Sequence, residues 1–375
     1  MITKPFGIAA LRRPRSGFTL KQRGRSRGFT LVELLVSVFV VTIIILMVTQ
    51  LMTSATAITR TGNKHIDTDT QARVVFDRMA LDFAQMVKRT DIDCYVKQRG
   101  NYNGHGNGHG WGRGKNGDLG SDQIAFFSQV PGYYPDGYNS GQQSPISLVA
   151  YRVTEDNSRP AYGRLERMAK GLVWNAVDTD TNQNQAKYPI VFLPQTIALI
   201  GRPWAPAINN NNHCDNSTTN SCDPDYEVIG PGVFRFEYYY LLKNGRMTDW
   251  PWDRWDWPDR NTISDPPSIG LSQIEAIAVA IAVIDPAGRA LIDAAALANQ
   301  ADYGDILDIA ADMADFKSAR GHGNAGKKIG DLEYQWKGVV ESIASSGQTP
   351  SNRLIPPEAA KSIRIYNRYF DLKTL

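Results

Sequence analysis

The chain has 375 residues, which is enough for one large domain or two modest ones. Its formal net charge of +3 is unevenly distributed, because residues 1–28 contain eight basic side chains and no acidic ones. The remaining residues carry 33 basic and 38 acidic side chains and are therefore slightly acidic. A nucleic-acid-binding domain needs a basic face, so this composition argues against nucleic acid as a partner.

An uncharged apolar run follows the basic N-terminal stretch. It covers 19 residues, 34–52. As a helix it would be about 28 Å long and would match the roughly 30 Å hydrocarbon core of a bilayer. We therefore predict one transmembrane helix. Because basic segments stay on the cytoplasmic side, the N-terminus is expected in the cytoplasm and the rest of the chain across the membrane.

A short motif lies at the junction of these two segments. Residues 27–35 read RGFTLVELL, whereas an earlier GFTL at 17–20 is followed by polar residues and no apolar run. RGFTLVELL before an apolar helix resembles the class III signal of type IV prepilins and type II secretion pseudopilins. The resemblance implies cleavage between Gly28 and Phe29 by a prepilin peptidase, followed by N-methylation of the new Phe29 amine.

Glu33 is the charged residue at the start of the apolar run. A lone carboxylate in hydrocarbon is unfavourable, so such a group normally has a partner or a function. The family resemblance implies that Glu33 meets the N-terminal amine of a neighbouring pilin or pseudopilin subunit as subunits leave the bilayer. The alternative is that Glu33 only extends to the cytoplasmic interface, which its place near the helix end allows.

These features divide the chain into four predicted parts. They are a cytoplasmic leader that is removed (1–28), a transmembrane helix (29–52), a helical stalk (53–95), and an exported globular head (96–375) with a glycine-rich loop at 100–121. The polar residues 53–67 fit either a frayed helix or a hinge around Gly62. The resemblance implies a single-pass inner-membrane protein whose head is periplasmic or extracellular.

An apolar stripe at helical spacing marks the second part of the stalk. It consists of Phe76, Met79, Ala80, Phe83, Met86 and Val87. We expect this stripe to pack against the head. Arg78 and Asp82 are four residues apart and are expected to pair on another face of the helix.

The head is predicted to be α+β, built on an antiparallel sheet with a few extra helices. Strand-like runs occur at 123–130, 146–153, 233–242 and 274–285, and helix-like stretches at 288–300 and 303–318. The run at 362–372 fits a helix end or a final strand, and we favour the strand. In the third strand-like run, the aromatic residues at even positions share one face. Arg235 and Glu237 point the other way.

Two stretches outside the signal resemble particular relatives. ARVVFDRMALDFAQ and QIAFFSQVPGYY are similar to the minor pseudopilin J and PilW-like group and, more closely, to the Verru_Chthon cassette protein C family. This resemblance implies a minor, low-copy filament subunit that depends on a prepilin peptidase and on other pilins. The 280 residues of the predicted head agree with that role, since major pilins are usually smaller.

The cysteines suggest one structural crosslink. Cys214 and Cys222 lie eight residues apart in a polar segment, and a disulfide between them would close a short loop in an oxidising periplasm. Cys94 is then left over. A zinc site is disfavoured, because only His213 stands near the two cysteines and a ligand is missing.

Two acidic segments have the oxygen-rich spacing of weak calcium sites. In the first, Asp178 and Asp180 precede two asparagines, but the glycine and the distal glutamate of a calcium loop are absent. The second offers Asp215, Asp223 and Asp225. Some pseudopilin heads bind structural calcium, which supports these candidates, and the alternative is two plain polar loops. No other cofactor is expected.

A tryptophan-rich segment could form a partner surface. Residues 249–259 contain Trp250, Trp252, Trp255 and Trp257 among four aspartates. Aromatic clusters favour interfaces, so this segment is a candidate for binding a partner or a carbohydrate. The alternative is that the rings are buried in the head and only the acidic groups face water.

The sequence gives no catalytic signature. GHGNAGKK at 321–328 approaches a phosphate-binding loop but has Lys328 where serine or threonine is required, and His105 and His109 lie among glycines without a glutamate between them. We therefore predict assembly work and no enzymatic activity. The alternative function is a membrane-anchored exported sugar-binding protein or enzyme that uses a pilin-like signal for export.

Overall fold

The computed structural model of the chain describes residues 28, 30–89, 121–133, 143–155, 159–171, 226–249, 251, 271–298, 302–316 and 329–372. The chain divides into two compact units, Met1–Thr59 and Arg60–Leu375. The second unit contains the described strands and all of the described helices except the first part of the N-terminal helix.

One helix, α1, runs from Leu31 to Ala84 and contributes to both units. Residues 53–67, for which the sequence allowed a frayed helix or a hinge, are helical throughout, including Gly62. The helix ends at Ala84, before the predicted end of the stalk at residue 95, and residues 85–89 are not helical.

The head is α+β, as predicted, and its described strands form two sheets. The first sheet contains β1 (Gln123–Ser128), β2 (Gly132–Tyr133), β3 (Gln143–Ser144), β4 (Ser147–Val153), β5 (Leu165–Gly171) and β6 (Tyr226–Gly230). Its order is β1-β4-β5-β2-β3, and β6 also pairs with β5. The pairings are antiparallel except for the short contact of β2 with β5.

The second sheet is fully antiparallel and has the order β10-β9-β7-β8. Its strands are β7 (Val233–Leu242), β8 (Met247–Thr248), β9 (Ile274–Val283) and β10 (Arg364–Asp371). The predicted run 233–242 is β7 in full, and each of the other four predicted runs contains one slightly shorter strand.

Four further helices are described in the head. They are α2 (Pro286–Ala298), α3 (Ile306–Asp312), α4 (Asp331–Ser346) and α5 (Pro357–Ala360). The first two correspond to predicted helices, although α3 is shorter than 303–318. The sequence analysis did not predict α4, which lies between Gly330 and Gly347, two glycines in the left-handed conformation that suits helix ends.

The second half of α1 forms the centre of the head core. Four members of the predicted stripe, Phe76, Met79, Phe83 and Met86, are buried, and Ala80 and Val87 are half-buried, which confirms that the stripe packs against the head. Ala72 and Val75 extend the same buried face. The ring of Phe83 lies 5.1 Å from that of Phe126 on β1 and 5.0 Å from that of Phe370 on β10. The helix therefore packs against both sheets at once.

The second sheet is covered on both faces. On one face, Arg368 Nη1 of β10 donates to Asp77 Oδ1 of α1 at 2.6 Å. On the other face, Asn367 Nδ2 of β10 donates to Glu333 Oε1 of α4 at 3.0 Å. Successive side chains of a strand point to opposite faces, so β10 connects α1 and α4 through alternate residues.

The outer edge of β1 is protected by the residues that follow α1. Val87 N donates to Phe127 O at 2.8 Å, and Gln129 N donates to Gln85 O at 2.9 Å. These bonds explain why the helix stops at Ala84, since residues 85 and 87 give backbone groups to the sheet instead of to a further helical turn. They also cover a strand edge that would otherwise be open to pairing.

Candidate functional site

The start of α1 is closed by a reciprocal pair of side-chain contacts. Glu33 Oε2 accepts hydrogen bonds from Thr30 N at 2.9 Å and from Thr30 Oγ1 at 3.0 Å. In return, Glu33 N donates to Thr30 Oγ1 at 3.3 Å. This is the capping box of a threonine followed three residues later by a glutamate, which satisfies backbone donors that a helix start leaves unpaired.

Residues 31–56 form a helix that is long and apolar enough to cross a membrane, by length and composition. At 1.5 Å per residue it spans about 39 Å, more than the hydrocarbon core requires. None of this segment is buried within the chain. A signal sequence near an N-terminus has the same properties, so the finding concerns the helix itself and not its orientation.

Five hydroxyl groups of this apolar segment, and a sixth just after it, bond back within the helix. Each donates to the carbonyl oxygen four residues earlier at 2.7–2.9 Å, and the donors are Ser37, Thr42, Thr49, Thr53, Thr56 and Thr59. Unpaired polar groups are costly in hydrocarbon. Ser37 and these threonines can therefore enter a bilayer without a partner from outside the helix. Glu33 differs, because its carboxylate would enter as an ion.

Gly28, the residue before the predicted cleavage point, is exposed. A Cβ atom added at this position would meet no heavy atom within 4 Å in the described part of the chain. The described part of the fold therefore does not require glycine here. An external partner that binds the backbone closely would be one source of such a requirement.

Residues 23–49 match the family model for the prokaryotic N-terminal methylation motif. The chain carries this motif. The match includes Gly28, Phe29 and Glu33, and it supports a type IV pilin-like precursor. No curated protein matches the chain. The finer resemblances to the J and PilW-like group and to the Verru_Chthon family remain predictions.

Most of the other predicted site residues lie outside the described residues. These are Phe29, Cys94, Cys214, Cys222, Trp250, Trp252, Trp255, Trp257, Asp178, Asp180, Asp215, Asp223, Asp225, His105 and His109. The predicted disulfide, tryptophan surface and calcium loops therefore stay predictions. Among the described residues, no group of three or more histidine, cysteine, aspartate or glutamate side chains is arranged to hold a metal ion.

Asp82 belongs to a buried ionic cluster in the head. Its predicted pairing with Arg78 is present, but Asp82 is fully buried and has stronger partners on the sheet. Arg167 of β5 forms a bidentate pair with the Asp82 carboxylate, with Nε donating to Oδ2 at 2.7 Å and Nη2 to Oδ1 at 3.0 Å. The hydroxyl of Tyr151 on β4 also donates to Oδ2. Arg78 is a weaker partner, with Nη2 at 3.6 Å from Oδ1.

The ionisation of this cluster follows from its burial. Burial, and then the charge of Asp82, raise the pKa of Tyr151 well above its ordinary value, so the phenol stays a donor. Burial is the largest single effect and would lower the pKa of Arg167, but the hydrogen bonds and charge interactions with Asp82 and Tyr151 together outweigh it and hold the pKa above its ordinary value. The cluster is thus a fixed ion pair with a neutral tyrosine.

A second buried cluster joins β7 to the chain after α3. Arg235 is fully buried, and its Nη2 donates to Met313 O at 3.2 Å and to the Asp315 carboxylate. Glu237 accepts from Phe316 N at 3.1 Å. The predicted alternation of β7 is correct, but the face that carries Arg235 and Glu237 is buried too. Both clusters lie in the interior and connect secondary-structure elements.

Proposed function

We propose that the chain is the precursor of a minor pilin-like or pseudopilin-like subunit of a type IV pilus or type II secretion-like filament. One observation carries the proposal: the N-terminal methylation motif at residues 23–49 coincides with an exposed Gly28 and with a helix that can span a membrane. The motif implies processing by a prepilin peptidase and assembly with other pilins.

Processing would convert the N-terminus into a charged partner for Glu33. Cleavage after Gly28 frees the amine of Phe29 next to Thr30, the residue that caps α1 through Glu33. In the precursor, the peptide bond at this position carries no charge. In the product, a positive amine of one subunit could bind the Glu33 carboxylate of its neighbour and offset the cost of an ion in hydrocarbon.

The capping box gives Glu33 a second role besides charge. Thr30 holds the carboxylate at the helix start, where the helix dipole also favours a negative group. A neighbouring amine would therefore meet an acceptor that is already oriented. We propose that Thr30 is a positioning residue for Glu33, and that the pair acts as one docking site.

The proposed work is assembly and not catalysis. The subunit would be anchored once in the inner membrane, with its N-terminus cytoplasmic and its head periplasmic or extracellular. Its α1 helix would pack with other pilin helices, and its head would contact partners or cargo. The large predicted head supports a minor subunit, because few copies of a bulky head fit a filament.

A set of Glu33 variants tests this function in the native filament. Glu33→Gln keeps a capping side chain but removes the charge, whereas Glu33→Leu removes both. We expect normal cleavage in both variants and roughly tenfold less subunit in purified filaments, equivalent to about 1.4 kcal/mol. Thr30→Ala keeps the charge but frees it from the cap, and we expect a smaller loss.

The matched control is Gln50→Leu, a change from polar to leucine within the same exposed apolar segment. It should leave filament incorporation unchanged. If all the Glu33 variants behave like Gln50→Leu, the chain is not a filament subunit. The alternative of an exported protein that only uses the signal as an anchor would then be favoured.

A further inference from the structure

The apolar stripe of α1 does not by itself specify how far along the helix the head is attached. Four sites on the buried face of α1, which includes this stripe, are occupied by Ala72, Val75, Phe76 and Met79. If the helix moved by four residues, about 6 Å, these sites would receive the residues four positions later, which are Phe76, Met79, Ala80 and Phe83. All of them are apolar, so this four-residue shift would not bring a polar side chain into any of the four sites.

Asp82 distinguishes the native position of the helix from the position shifted by four residues. It is fully buried, it lies beside the stripe, and its carboxylate is bound by Arg167 in a fork and by the Tyr151 hydroxyl. Its backbone carbonyl also accepts a hydrogen bond from Ser128 Oγ at 2.8 Å. Three different strands, β1, β4 and β5, therefore contact this one helical residue.

Either slip of one turn would place an unsuitable residue at this site. A slip in one direction brings Met86 to the position of Asp82, which leaves Tyr151 without its acceptor and the buried Arg167 with only the exposed Glu227, 3.8 Å from its Nη1. A slip in the other direction brings Arg78 against Arg167, which puts two positive charges together. Both slips are unfavourable for the buried charges. The slip that brings Met86 to the Asp82 position is, however, acceptable to the four apolar sites.

We infer that the Asp82–Arg167–Tyr151 cluster selects the register in which the second half of α1 lies against the two sheets of the head. The register also decides which helix face stays outside. That face exposes Ile66, Val74 and Leu81, whose side chains are 62%, 57% and 57% exposed. The consequence for contacts between subunits rests on the proposed function, whereas the register itself does not.

Other hydrogen bonds between the helix region and the sheets are the competing explanation for the same register. Residues 85 and 87 bond to β1, and Gln71 Oε1 accepts from Gly232 N at 2.9 Å. If these contacts were sufficient, the charges at positions 82 and 167 could be removed together without changing where the helix lies. A test must therefore measure position as well as stability.

A cross-linking experiment on the full chain in membranes measures that position. Asp77 contacts Arg368, and both are exposed, while Leu81 lies one turn further along the exposed side of the helix. One reporter carries Asp77→Cys with Arg368→Cys, and the other carries Leu81→Cys with Arg368→Cys. A short thiol-specific cross-linker is added, and linked peptides are identified by mass spectrometry, which separates them from links to native cysteines.

The reporters are compared in three backgrounds. In the native background, the link from 77 to 368 should dominate. The second background is Asp82→Leu with Arg167→Met, which replaces the ion pair with apolar side chains. There, the ratio of the 81–368 link to the 77–368 link should rise by roughly tenfold. The control background is Lys361→Met with Glu358→Leu, which removes an exposed ion pair and should leave the ratio unchanged.

An unchanged ratio in the Asp82→Leu, Arg167→Met background would overturn the inference and assign the register to packing and backbone bonds. If that background does not fold, as judged by near-ultraviolet circular dichroism, the milder Asp82→Asn is read by the same ratio and the same criterion. Filament incorporation is scored separately. Loss of incorporation with a native cross-link ratio would bear on the proposed function and not on the register.

Discussion

The two halves of α1 satisfy their side chains in different ways. In the first half, the side-chain hydrogen bonds that the structure shows stay within the helix, as in the Thr30–Glu33 capping box and the hydroxyls bonded to carbonyls one turn earlier. In the second half, the partners are distant in sequence, such as Arg167 for Asp82 and Gly232 for Gln71.

This difference indicates where each half obtains its stability. The second half is stabilised by the head, since its apolar face is buried in the core. In the first half, no residue of 31–56 is buried within the chain. Its apolar side chains are compatible with stability only in surroundings that other molecules supply, namely lipid or neighbouring helices.

The same substitution in each half should give the largest contrast. Phe83→Ala removes a buried ring and should lower the free energy of unfolding of the head by about 3–5 kcal/mol. Phe39→Ala removes a ring that is 63% exposed and should change that free energy by less than about 0.5 kcal/mol. Denaturant unfolding of the full chain in detergent, followed by near-ultraviolet circular dichroism, measures both. Equal losses would contradict the comparison.

Removing one partner of the buried ion pair should cost nearly as much. Arg167→Met leaves the Asp82 carboxylate buried without its main partner, and we expect a loss of about 3–5 kcal/mol. Adding Asp82→Leu should recover most of that loss, because the uncompensated charge is gone. The same unfolding measurement applies. A double variant as unstable as the single one would mean that the pair itself stabilises the head.

The capping box should make a smaller and local contribution. Thr30→Ala should destabilise the start of α1 by about 0.5–2 kcal/mol, because a threonine cap is lost. Amide hydrogen exchange of residues 31–34 in detergent measures this effect. The control, Thr42→Ala, removes a hydroxyl that only bonds back to Val38 O, and it should leave exchange there unchanged. Faster exchange in the control would argue against a specific cap.

The smallest expected effect is a gain in stability at Gly62. A Cβ atom at this helical position would meet nothing within 4 Å in the described residues, so Gly62→Ala should stabilise the helix by about 0.5–1 kcal/mol. Slower amide exchange around residue 62 would show the gain. Gly232→Ala is the opposite control. Its Cβ would lie 2.4 Å from Ile284 O, so this substitution should destabilise the head.

The parts of the fold that the sequence predicted depend on local periodicity. The apolar run, the stripe from Phe76 to Phe83 and the alternation of β7 can each be read within one continuous segment of fewer than 20 residues. The helix α4 was missed, although Leu332, Trp336, Val340 and Ile343 repeat at helical spacing, because Gly338 and two adjacent valines lower its helix propensity. The Thr30–Glu33 capping box was also readable from its spacing and was overlooked.

The buried cluster shows what a single sequence does not contain. Asp82 is four residues from Arg78, which made a surface pair the obvious interpretation. Its main partner, Arg167, is 85 residues away and becomes a neighbour only when β5 packs on α1. Long-range pairing of this kind follows from the topology of the sheets, and a local pattern does not predict it.

The most direct test of the account is mass spectrometry of the N-terminal peptide of the protein from its native membrane. A processed pilin-like subunit should give a peptide that begins at Phe29 and is heavier by one methyl group. A peptide that still begins at Met1, or one that begins beyond the apolar run, would contradict the account. In that case the motif at residues 23–49 would not direct prepilin processing of this chain.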